Sequence, residues 1–128
     1  MITCTSDVQN FKTMTSNGDF QVIVDASKDK GGSESGFRPQ EMLEVAVASS
    51  MNIWIRMHAQ KEGLPLKQVV TKVSLDRTSA PEAVFKYSVK LDEELDDRTE
   101  KRLMQSVFSC RVRQTLAKRT SIQYSTKI

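Results

Sequence analysis

Cysteine is scarce in this chain: Cys4 and Cys110 are its only two among 128 residues. That count excludes a disulfide-stapled scaffold. Histidine is scarcer still. His58 stands alone, and no closely spaced Cys/His group supplies the ligand pattern of a metal site. Phosphate-cradling glycine loops are missing too, because Gly31-Gly32 lacks the rest of a P-loop or dinucleotide motif. There is no G-x-S-x-G, and Ser49 and Ser50 lie within a helical pattern rather than on a sharp strand–helix turn. Long apolar runs are absent. Residues 42–57 carry Glu44, Asn52 and Arg56, whereas a bilayer span needs about 20 apolar residues. The opening MITCTSD has no basic region followed by an apolar run, so no signal peptide is expected. Charge of one sign is also lacking, with 19 Lys+Arg against 16 Asp+Glu and a net charge of +3. The basic residues Arg98, Lys101, Arg102, Arg111, Arg113, Lys118 and Arg119 gather towards the C-terminus, but Asp96, Asp97 and Glu100 interrupt them. They read as a solvated helix face, with neither nucleic acid nor membrane as a partner.

What is present fits an ordinary globular domain. The composition is 38% hydrophobic and 27% charged, and the length of residues 1–128 fits a single domain. A cytoplasmic location with reduced thiols is expected, so the two cysteines are the first place to look for chemistry.

The N-terminal third reads as β-structure. Asn17-Gly18 favours a hairpin turn, followed by alternation at Phe20, Val22 and Val24, with residues 8–14 as the partner strand. Residues 27–36 (SKDKGGSESG) break all periodicity and read as a flexible polar loop. A long helix then begins at Pro39, suited to a first turn where a missing N–H costs nothing, with Glu41 near the positive end of the helix dipole. It stops at Gly63-Leu64-Pro65. Its centre is apolar on nearly every side, which predicts burial by the rest of the domain, by a partner subunit, or by both. Residues 69–75 and the apolar positions Val84, Tyr87 and Val89 predict two strands joined around Ser79-Ala80-Pro81-Glu82. Asp96 or Asp97 caps a helix with Leu103, Met104, Val107 and Phe108 on its inner side. Residues 112–118 continue as helix or turn, and residues 121–126 alternate like a last strand. With no βαβ repeat, this order predicts an α+β fold.

Residues 39–50, PQEMLEVAVASS, resemble the P-x-E-L-L-x-A-A-x-A-S-C helix start of the OsmC/Ohr family (osmotically inducible protein C-like and organic hydroperoxide resistance proteins). Phe108-Ser109-Cys110-Arg111-Val112 resembles its second signature, and the order of elements matches over almost the whole chain. The resemblance implies antiparallel sheets packed on a long central helix, an intertwined homodimer, and kinship to thiol peroxidases that reduce organic hydroperoxides. It implies no cofactor.

The departures from the family pattern are chemical. The position matching the peroxidatic cysteine is Ser50, and the one matching the resolving cysteine is Cys110. A hydroxyl is a far weaker nucleophile than a thiolate and forms neither sulfenate nor disulfide. The supporting acid falls at the neutral Gln40, with Glu41 about 100° further round the helix. The arginine of the first β-turn region is absent, leaving Lys12 or Arg38 as electrostatic substitutes. Cys110, flanked by Arg111 and Arg113, reads either as a one-cysteine peroxidatic thiol or as a small buried hydrophobe. Ser50, Trp54, Met57 and His58 recur at about helical spacing. They read either as core or dimer packing or, with Arg38, as the wall of a pocket at the dimer interface for an organic hydroperoxide or another small apolar or lipid-like ligand.

Overall fold

The computed structural model describes residues 1–79 and 81–126. Its elements run β1 (Thr3–Ser6), β2 (Thr13–Ser16), β3 (Gln21–Val24), α1 (Pro39–Lys61), β4 (Val69–Asp76), β5 (Val84–Leu91), α2 (Asp97–Ser106) and α3 (Arg111–Leu116). This is an α+β arrangement with antiparallel strand pairs, as the element order predicts. The chain forms two compact units, Met1–Val45 and Ala46–Ile128, with α1 running through the border between them.

In the first unit β1, β2 and β3 make an antiparallel sheet in that order. The partner of β3 is residues 13–16, not 8–14, because Asp7 and Lys12 turn the chain between them. The Asp7 N–H donates to the Lys12 carbonyl at 2.8 Å, and the two side chains pair at 2.8 Å. The β2–β3 loop is built on Asn17, whose Oδ1 accepts from the N–H groups of Asp19 (3.0 Å) and Phe20 (2.8 Å). Gly18 takes φ +106°, a conformation glycine adopts without strain.

Residues 27–36 are organised rather than loose, and the organiser is Asp25. Its side chain is only 1% exposed. Its carboxylate accepts from the Ala26 N–H, from the Ser33 N–H and hydroxyl, and from the Ser35 N–H and hydroxyl, all within 3.1 Å. These hydrogen bonds, the Ser35 N–H foremost, hold Asp25 far below the usual carboxylate range. The loop folds back so closely that a Cβ on Gly36 would lie 2.2 Å from the Ile23 carbonyl oxygen. From there Phe37 bridges to Val24, its N–H donating to Ile23 and its carbonyl accepting from Asp25. At the start of α1, Glu41 reaches back to accept from the Arg38 backbone N–H at 2.9 Å, satisfying one of the helix's orphan donors.

In the second unit α1 buries one stripe, Val47, Met51, Ile55 and Ala59, spaced four residues apart. The stripe joins Val69, Leu103, Val107 and Cys110 in a single core. Complete burial of Ile55 contributes about 1.5–3 kcal/mol. The all-round burial expected of α1 is not met within one chain: Ile53 and Met57 are 59% and 57% exposed. The helix ends at Gly63, φ +67°, with the Leu64 N–H donating to the Ala59 carbonyl. β4 and β5 pair in register from Val69↔Leu91 to Asp76↔Val84. Of the expected turn between them, Ala80 lies outside the described residues, and the Glu82 N–H donates to the Ser79 carbonyl. The sheet is fastened to α1 by Asn52 Nδ2 donating to the Val69 carbonyl (2.6 Å) and Thr71 Oγ1 donating to the Ala48 carbonyl (3.0 Å).

Asp96 caps α2, accepting from the Thr99 N–H at 3.0 Å. Leu103 and Val107 are buried as expected, but Phe108 is exposed. A 3-10 turn over Val107–Ser109 swings it out of the helical stripe, and the Arg113 guanidinium stacks on its ring at 4.3 Å. The last helix is Arg111–Leu116 rather than 112–118. Residues 121–126 form no strand: alternation of Ile122 and Tyr124 needs a partner edge, and both side chains stand in solvent. Among the described residues no helix is long and apolar enough to cross a membrane.

Candidate functional site

Ser50 lies on α1 beside the buried stripe, next to Met51. Cys110 follows the 3-10 turn and opens α3, its carbonyl accepting from the Gln114 N–H at 2.9 Å. The two side chains meet, with 2.9 Å between Ser50 Oγ and Cys110 Sγ. Cys110 has no solvent exposure at all. Its thiol therefore has the hydroxyl on one side and the apolar core on the other.

Above this pair opens a cavity of about 330 Å³. α1 contributes Ala46, Ser49, Ser50, Ile53 and Trp54, which fall at i, i+3, i+4, i+7 and i+8 and so share one helix face. α3 contributes Arg111 and Val112. The wall holds two hydroxyls, one cation and no carboxylate. The Trp54 indole N–H is buried and has no acceptor among the described residues. Arg111 was legible only as a neighbour of Cys110. Its place in the wall follows from α3 starting at Arg111, and the helical spacing of 46, 49, 50, 53 and 54 was the signal for the rest.

His58 is held by its own helix: Nδ1 donates to the Trp54 carbonyl at 3.1 Å, and its ring lies 5.0 Å from the indole. Met57 lines a different cavity, with Arg56, Leu64 and Leu66. Thus Ser50, Trp54 and Cys110 come together, while Met57 faces elsewhere.

Arg38, Gln40 and Glu41 belong to the first unit. The Arg38 guanidinium donates from Nε and Nη2 to Glu41 Oε1 and holds that carboxyl below its usual range. Glu41 is thereby committed to closing the helix start. Arg38 and Gln40 line a cavity of about 350 Å³ with Asp25, Ser27 and Lys30. Lys12, paired with Asp7, and Arg38, paired with Glu41, both have their charge answered locally. Cys4 is exposed on β1, its Sγ 3.2 Å from Thr15 Oγ1. Both cysteines are free thiols.

Residues 18–125 match the family model for OsmC-like proteins. Similar solved structures include an OsmC-like protein from Mycoplasma pneumoniae, at 15% identity and TM-score 0.70, covering 91% of this chain and 85% of that one. A protein from Psychrobacter arcticus, provisionally described as an osmotic stress induced and detoxification response protein, has 21% identity and TM-score 0.77, covering 89% and 85%. The organic hydroperoxide resistance protein OhrB of Bacillus subtilis has 14% identity and TM-score 0.59, covering 91% and 89%. At these identities the likeness establishes the fold. No curated protein sequence matches the chain.

Proposed function

The chain belongs to the OsmC-like family, and from that premise we propose a hydroperoxide-related protein of the oxidative-stress response whose two-cysteine chemistry is blocked at Ser50. One observation carries the reading: the two signature positions meet at 2.9 Å, but as oxygen and sulfur. In the two-cysteine cycle, a thiolate takes the terminal oxygen of a hydroperoxide, becomes sulfenate and releases the alcohol. The resolving thiol then condenses with the sulfenate, forming a disulfide and releasing water. A serine at the first position supports neither step. The helpers are altered as well, since Gln40 carries no charge and Arg38 and Lys12 are paired elsewhere. Burial of Cys110 weighs against the one-cysteine alternative, because a buried structural thiol is inert.

The cavity over Ser50 favours a second reading, a binding module for a small apolar or lipid-like ligand, with Trp54 and Ile53 as its apolar wall. The same reading includes one OsmC-like domain made of both units, a cytoplasmic location and an intertwined homodimer. The exposed apolar residues Leu43, Val45, Ile53 and Met57 of α1 support the dimer.

The test is consumption of cumene hydroperoxide with dithiothreitol, for the native chain, Cys110→Ser and Ser50→Cys. No turnover in the native chain and a gain in Ser50→Cys are expected. Fast native turnover that survives Cys110→Ser would overturn the thiol-based reading altogether.

A further inference from the structure

We infer that Asn17-Gly18 is a self-modifying site, where the β2–β3 turn promotes loss of the Asn17 side-chain amide as ammonia. The chain has three asparagines, Asn10, Asn17 and Asn52, and only Asn17 precedes glycine. Phe11 and Ile53 follow the other two, and their side chains obstruct attack by their own backbone nitrogens. Asn52 also lies inside α1, with its Nδ2 bound to the Val69 carbonyl. At the turn, by contrast, Asn17 and Gly18 are both exposed, and nothing lies within 4 Å of a would-be Gly18 Cβ.

The turn polarises the amide and leaves its nitrogen free. The Asn17 N–H donates to the Phe20 carbonyl at 3.2 Å, which closes the turn. Asn17 Oδ1 accepts from the N–H groups of Asp19 at 3.0 Å and Phe20 at 2.8 Å. These two donors stabilise the negative charge that grows on Oδ1 as the amide carbon becomes tetrahedral. The Gly18 N–H donates to Ser16 Oγ at 3.0 Å, so an acceptor already faces the proton that this nitrogen must lose. Asn17 Nδ2, the leaving group, makes no hydrogen bond among the described residues. In the reaction the Gly18 nitrogen bonds to Asn17 Cγ and the Cγ–Nδ2 bond breaks. Ammonia departs with the proton given up by the Gly18 nitrogen, leaving a cyclic imide. Water then adds to one of the two imide carbonyls and opens the ring to aspartate or isoaspartate. Either product places a new negative charge beside Asp19, and isoaspartate also inserts a methylene into the main chain of the turn.

The full chain is incubated in mildly alkaline buffer, folded and in concentrated guanidinium, with ammonia release and peptide mapping as the readouts. Conversion confined to Asn17, at least as fast in the folded chain as in the unfolded one, is expected. Ser16→Ala should slow the folded chain at least threefold and leave the unfolded chain within twofold of native. Gly18→Ala should slow both at least tenfold. An Asn17 that stays intact in the folded chain while the unfolded chain converts would mean that the turn protects the amide, which overturns the inference. A folded rate that Ser16→Ala leaves unchanged overturns it as well.

Discussion

Ser50 Oγ and Cys110 Sγ lie 2.9 Å apart although 60 residues separate them in the chain. The contact joins a long helix to the start of a short one, and it sits where apolar packing ends and a cavity begins. Such a contact needs only one atom changed to become redox-active.

Replacing that oxygen by sulfur should therefore create a thiol pair. In a Cys4→Ala background, which removes the exposed thiol, Ser50→Cys should form a disulfide with Cys110 on treatment with cumene hydroperoxide. The native contact is 2.9 Å between oxygen and sulfur, and a disulfide brings two sulfurs to about 2.05 Å. Thiol titration and intact mass read the result. Two free thiols persisting after stoichiometric peroxide would show that the two positions do not cooperate.

The two native cysteines should differ sharply in reactivity. Cys4 is exposed on β1 and Cys110 is fully buried, so a water-soluble disulfide reagent reaches only the first in the folded chain. One thiol per chain should titrate within minutes in buffer, and two in concentrated guanidinium. Rapid modification of both in buffer would mean that the second unit opens readily around Cys110.

Legibility in the sequence followed the range of the interaction. The long helix could be read because its signals are local: Pro39 opens it, Glu41 closes its first turn and Gly63 ends it. The proposed strand over 121–126 failed because alternation marks a face without saying whether an edge waits to receive it. Order in residues 27–36 was invisible because it depends on Asp25, a single carboxylate outside the segment. The pairing of Ser50 with Cys110 was accessible only through resemblance to a family, since no rule of spacing joins residues that far apart. Arg111 in the cavity wall hung on where α3 begins, and helix boundaries are the least certain part of any sequence reading.

Gly36 has no freedom to gain a side chain. Its Cβ would lie 2.2 Å from the Ile23 carbonyl oxygen, backbone that also accepts from the Phe37 N–H. Gly36→Ala should therefore cost about 1–3 kcal/mol in urea unfolding, in line with overpacking elsewhere. Gly18 has nothing within 4 Å of its would-be Cβ. Gly18→Ala should cost less, from its φ of +106° alone. Equal stability of Gly36→Ala and the native chain would refute the close return of the loop.

Asp25 should make the stability of the chain depend on acid. Its carboxyl is held far below the usual range, first by the Ser35 N–H and then by the Ser33 hydroxyl. An unfolded aspartate titrates near 3.9. The folded value lies below that, so the unfolded chain binds the proton first. The stabilisation is thus complete above about pH 5 and is lost as the pH falls through 4 towards the depressed folded value. Asp25→Asn removes the charge and turns an amide N–H towards the donors of Ala26, Ser33 and Ser35, so its Tm should fall clearly below that of the native chain at pH 7. The gap should narrow steadily between pH 4 and pH 2, because the native chain is then losing what the variant never had. Thermal melts of both chains across that range decide the matter. A gap that stays constant from pH 7 to pH 2 would mean that the five hydrogen bonds favour neither protonation state.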